Sequence, residues 1–175
     1  LLRVAPDTPP PANDDLAAAQ PLNPFAGAVA GTTDGATREP GEPNHAGRVG
    51  SASVWYVTSS VVGGTLQLST EGSGFDTVLA VYTRSGGVLT GVAANDQAGG
   101  VHPWSLVSVP VAAGAVYWIA VDGPAPSHGS LVLTPQFTPG TAAPNDAFAD
   151  ATLVDAARAG LDRTTSRGAT HEGGE

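Results

Sequence analysis

The chain writes one of its segments twice. "GATREPGE" at 35–42 returns as "GATHEGGE" at 168–175, and "NDDLAAA" at 13–19 returns as "NDAFADA" at 145–151. Asn13 and Asn145 lie 132 positions apart, and Gly35 and Gly168 lie 133 apart, a difference that one residue inserted between the two anchors accounts for. The repeating unit is about one domain long, and any fold the chain adopts must close within it. Residues 1–11 are accordingly read as the end of a preceding repeat plus a Pro-rich linker, 12–137 as one complete domain, 138–144 as a linker, and 145–175 as the opening of a following repeat. "LLRVAP" at 1–6 stands before its Asn-Asp much as "LVLTPQ" at 131–136 stands before the next one, which places Leu1 inside the last strand of a preceding unit. The second opening is too short to bury a core of its own, and it is expected to pack on another copy, as in a fibre, the alternative being a tail docked on its own domain.

Between the repeated segments run short β-type stretches: "FAGAVAG", "SVWYVTSS", "GTLQLST", "DTVLAVYT", "VLTGVAA", "WSLVSVPV", "AVYWIAVDG" and "GSLVLTP". In several of them apolar residues alternate with the opposite face, as Val78, Ala80 and Tyr82 do against Leu79, Val81 and Thr83. About eight such strands at this spacing predict an all-β, two-sheet sandwich. The 23 Gly and 15 Pro fall between the apolar runs and read as turns. One or two helical turns are expected over 14–20, capped by Asn13 or Asp14.

The formal net charge is −9 and all seven basic residues are Arg. An acidic surface without a basic patch argues against nucleic acid and anionic membranes and suits cations. No apolar run reaches the roughly 18 residues of a membrane span. Zero Cys excludes disulfides and thiolate metal sites, and zero Lys excludes Lys–Asn isopeptide cross-links, so oxygen ligation of a hard metal is the remaining staple.

Calcium takes six to eight oxygens from carboxylates, amides and backbone. Asn13, Asp14, Glu39 and Glu42 offer four suitable side chains, and Asn145, Asp146, Glu172 and Glu175 offer the same four again. The acidic pairs persist where Arg38 becomes His171 and Pro40 becomes Gly173, which favours a role for the carboxylates themselves. A helix cap with solvated loop charges is the alternative reading. Asp96 is a weaker candidate for a second metal position, and Asp76 and Asp122 read as turn residues bonding their own backbone. His45 reads as a loop residue satisfied beside an aromatic. Trp55–Tyr56 and Tyr117–Trp118 are adjacent pairs on strands, so one of each should face outward; Trp55, Trp104 and Trp118 are the candidates for a ligand platform. No H-E-x-x-H or G-x-S-x-G pattern occurs, and no enzyme activity is expected.

"EPGEPNHAG" followed by "SVWY", then "GFDTVLAVYT", "VAANDQAGG" and "YWIAVDG", resembles the bacterial pre-peptidase C-terminal domain family, a group that includes the collagen-binding domains of clostridial collagenases. The likeness runs from about Asn13 to Leu133 and starts again at Asn145. It implies an exported jelly-roll-like sandwich, strung in tandem or appended to secreted enzymes. In calcium-binding members the segment before the first strand and an acidic loop hold the metal, places taken here by Asn13 and Asp14 and by Glu39 and Glu42. The expected function is a secreted or cell-surface structural module, stiffened by calcium and partnered by neighbouring repeats of the same protein. The alternative is an accessory domain of a secreted hydrolase that binds an extracellular matrix protein or glycan.

Overall fold

The computed structural model describes residues 8–50, 52–100 and 102–140. The expectations for 1–7 and 141–175, including Asn145, Asp146, Glu172 and Glu175, lie outside the described residues. Nine strands form the domain: β1 (Gln20–Pro21), β2 (Val29–Thr32), β3 (Val54–Ser59), β4 (Gly64–Ser69), β5 (Val78–Ser85), β6 (Val88–Asn95), β7 (Leu106–Val111), β8 (Val116–Asp122) and β9 (Ser130–Pro139). One sheet has the order β1-β3-β8-β5-β6 and the other β2-β9-β4-β7. All pairings are antiparallel except β1 with β3, so the chain is the all-β two-sheet sandwich its alternation predicts.

The core lies between the sheets. Val54, Tyr56, Leu79, Val81, Ile119 and Val121 of the five-stranded sheet meet Leu66, Leu68, Val107, Val109, Leu131 and Leu133 of the other. Full burial of each such side chain contributes about 1.5–3 kcal/mol. A second cluster, Trp55, Ala80, Tyr82 and Ala120, lies on the opposite face of the five-stranded sheet. Strand period 2 sets both faces: Val54 and Tyr56 point inward, and Trp55 outward. The outward face is nonetheless covered, because Leu16 and Ala19 of the leading segment pack against it, together with Leu89 and Trp118. For this reason Trp55 and Tyr56 are both buried, at 0% and 1% exposure, where alternation alone predicts one surface member.

The helical expectation over 14–20 reduces to one 3₁₀ turn, Leu16–Ala18, whose N-cap is Asp15 with no side-chain capping bond. Asn13 and Asp14 do not cap it; their side chains bond the sandwich instead. After this turn the segment runs beside β3 in parallel, with Gln20 opposite Tyr56 and Pro21 opposite Val57.

Candidate functional site

The leading segment is bound to the sandwich through the residues that recur in sequence. Asn13 grips the backbone of Trp55 from both sides: its Nδ2 donates to the Trp55 carbonyl at 3.0 Å, and its own carbonyl accepts the Trp55 N–H at 2.8 Å. Asp14 receives Thr37 twice, the backbone N–H at 2.6 Å on Oδ1 and the hydroxyl at 3.0 Å on Oδ2. Glu39 Oε2 accepts the Leu16 N–H at 2.7 Å, and Glu42 Oε2 accepts the Glu39 N–H at 2.9 Å. The turn 39–42 makes the last contact possible, since Pro40 sets the second turn position and Gly41 supplies φ +87° at the third. Gly35, at φ +77°, leaves space that a Cβ would take from the Thr8 carbonyl. Gly168 and Gly174 stand at the matching places of the second copy.

Beyond Glu42 the network enters the interior. Glu42 Oε1 lies 2.7 Å from His45 Nε2, and His45 Nδ1 lies 2.7 Å from the Tyr82 hydroxyl. His45 is 1% exposed and stands edge-on to Trp55 at 5.5 Å between ring centroids. Ala46, next to it, takes φ 48°, a left-handed conformation that costs energy for a residue with a Cβ. Tyr82 sits where the β5–β6 ladder shifts register between Val81 and Tyr82. Burial alone would raise the Glu42 carboxyl, but hydrogen bonds from His45, Ser53 and the Glu39 N–H, with the His45 charge, hold it below its ordinary 4.5. Tyr82 is pushed up to about 12 by burial and by the Glu42 charge, so it keeps its proton. The Tyr82 hydroxyl pairs with Nδ1 and Nε2–H donates to Glu42, so both ring nitrogens and the hydroxyl are satisfied.

This donor set does not fit calcium as it stands. Both Asp14 oxygens, both Glu42 oxygens and Glu39 Oε2 already accept protein N–H or O–H groups. Among the described residues no three His, Asp or Glu side chains gather closely enough to hold an ion. Asp96 is held by Arg48, with Nη2 2.5 Å from Oδ2, and its Oδ1 is buried with no partner, as is Oδ1 of Asp76. Burial, then the Asp96 charge, raise the Asp76 carboxyl against a lowering by Arg48. Asp122 bonds its own turn, as expected, accepting the Gly123 N–H at 2.7 Å, and also takes the Ala52 N–H at 3.1 Å.

The aromatic platform does not assemble as expected. Trp55 is buried beneath the leading segment, Trp118 is half-buried against the same cluster, and Trp104 stacks on His102 at 5.4 Å ahead of β7 in the other sheet. An open pocket of about 410 Å³ lies over Trp55, walled by Leu16, Glu39, Glu42, Val88 and Leu89 among others. Sequence reading missed Thr37 and the partnership of His45 with Tyr82. Thr37 was findable, because Thr170 repeats it two residues ahead of Glu172 just as Thr37 precedes Glu39.

No protein-family model matches the chain, and no curated protein matches it. Among solved structures it is similar to CorA of Methylomicrobium album BG8, described as a surface-associated copper-binding protein important in copper acquisition. That match has a TM-score of 0.46 and 11% identity, covers 69% of this chain and 98% of the other, and carries no argument about this one.

Proposed function

We propose that this domain is a non-catalytic structural module of a secreted or cell-surface protein, one unit of a tandem array, in which a hydrogen-bonded latch locks each incoming segment onto its own sandwich. One observation carries the reading. Asp14 with Thr37 and Leu16 with Glu39 tie 13–16 to 37–42, Asn13 ties it to Trp55 and Glu42 braces Glu39; Asn13, Asp14, Thr37, Glu39 and Glu42 all recur, as Asn145, Asp146, Thr170, Glu172 and Glu175. Carboxylates accepting backbone N–H groups form charge-assisted bonds stronger than neutral ones. Their action here is to fix where the chain enters the sandwich, which stiffens the junction between units. The resemblance to exported, tandemly strung sandwiches supports the extracellular placement. The non-catalytic reading is supported by His45, the buried imidazole, whose two ring nitrogens are both engaged by Glu42 and Tyr82.

The latch works without an ion in this reading. The test is a thermal melt of the 175-residue chain in millimolar calcium and in excess chelator, beside Asp14→Ala and Glu39→Gln. The expected result is a lowered midpoint in both variants and the same wild-type midpoint in either buffer. A wild-type midpoint that rises by several degrees with calcium, and a rise that Glu39→Gln abolishes, would replace the metal-free latch with a calcium-stiffened one.

A further inference from the structure

The chain enters and leaves the sandwich at opposite ends. Asn13 meets Trp55 near the start of β3, whereas β9 ends at Pro139 opposite Gly64, beyond the end of β3, and the Gly140 N–H bonds the Gly63 carbonyl at 2.9 Å. The β5–β6 turn, which begins with Arg84, closes one side of this exit end, and four neighbouring stretches form the rest: 23–28, 59–64, 110–116 and 137–140. None of the four contains a charged residue, in a chain of net charge −9. They expose Phe25 at 60%, Val61 at 86%, Val62 at 36% and Val116 at 41%. Phe25 stands edge-on to Phe137 at 5.1 Å. Beneath them, Thr58, Ser60, Tyr117 and Phe137 line a slot of about 10 Å³, and the Thr58 hydroxyl, on a residue 5% exposed, has no hydrogen-bond partner.

We propose that the exit end is the docking face for the continuation of this same chain, residues 145–175, so that consecutive units seat on one another rather than swing on a free linker. The inference rests on the tandem reading above. Three observations choose this occupant over a second copy. The chain leaves the sandwich at this very face, and five peptide steps cannot carry Asn145 more than about 18 Å from Gly140. A short tether holds a segment at an effective concentration of about millimolar, so a small patch suffices to bind it, whereas a free copy would need a larger interface. The patch is apolar and uncharged, and the continuation carries Phe148, Leu153 and Val154 set among Asp146, Asp150 and Asp155, so apolar side chains to cover it lie within the first ten residues.

Hydrogen–deuterium exchange on the 175-residue chain tests this, comparing wild type with Val61→Asp at two protein concentrations. Val61 is exposed enough that the charge leaves the sandwich folded, which unchanged exchange in β3, β5 and β8 verifies. The expected result is slow exchange at 59–64 and within 145–175 in wild type, lost from both in Val61→Asp and independent of concentration. Exchange in 145–175 that Val61→Asp leaves unchanged overturns the proposal, and protection that grows with concentration overturns it in favour of a second copy. Failure of the latch reading shows in residues 8–22, which Val61→Asp does not touch, so the two outcomes separate within one experiment.

Discussion

The two ends of this sandwich are built from opposite materials. At the latch end Asp14 holds Thr37, while Glu39, Glu42, His45 and Tyr82 are linked by hydrogen bonds, and nearby Arg48 pairs with Asp96. At the exit end the four stretches carry no charge and leave valines and a phenylalanine in the open. The difference shows two ways of joining a chain to a domain. Directional bonds fix one register and are costly to break when buried, because the abandoned partner keeps its desolvation penalty. An apolar face is non-directional and gains in proportion to the area covered. A repeat that uses the first device on its incoming segment and the second at its outgoing end would be gripped firmly at one side and seated more loosely at the other.

The contrast should appear first as a gap in stability. His45→Ala leaves Glu42 Oε1 without the His45 donor, removes the partner of the Tyr82 hydroxyl and empties the space beside Trp55; loss of about 3–5 kcal/mol in urea unfolding is expected. A loss no larger than that of an exposed substitution would break the comparison, since the buried network would then be idle. Asp14→Ala comes next. It strands the Thr37 N–H and hydroxyl, at an expected cost of about 1–3 kcal/mol, with faster amide exchange across 8–22 and none of it at 59–64.

Acid should act at the latch end alone. Because the folded state holds Glu42 below its ordinary 4.5, its contribution is present above that value and is lost as the pH falls through the lower folded one. Stability measured from neutral pH down to about 3 should therefore fall less steeply in Glu42→Gln than in wild type. At the alkaline side the sign reverses: Tyr82, raised by burial, holds its proton, and that contribution is intact below 10 and lost as the pH climbs to about 12. Equal acid slopes for wild type and Glu42→Gln would remove Glu42 from the network's energetics. The smallest expected effect is that of Val61→Asp, within about 0.5 kcal/mol in unfolding. A large loss there would mean the exit end is part of the core.

Much of this was readable in the residues. Alternation in "DTVLAVYT" separates Leu79 and Val81 from Ala80 and Tyr82, and the structure places the first pair in the core and the second on the outer face. The recurrence of Asn-Asp and Glu-x-x-Glu marked the latch, and the Pro-Gly in its turn marked how Glu39 and Glu42 approach one another. What those oxygens bind was not readable. The same hard donors suit an ion or an amide, and the choice depends on whether N–H groups such as those of Leu16 and Thr37 arrive within hydrogen-bonding distance. The burial of Trp55 was equally hidden, since a strand's period assigns a residue to a face and says nothing about what covers that face.

By itself, then, the sequence determined the all-β class and the short list of polar residues that recur, because periodicity, turn chemistry and repetition are local properties written along the chain. Only the tertiary structure decided that Asp14 meets Thr37, that His45 joins Glu42 to Tyr82 and that charge gathers at one end while the other is left largely apolar. Those are contacts between residues as much as 37 positions apart, and they exist only once two sheets and the segment laid across them bring distant parts of the chain together.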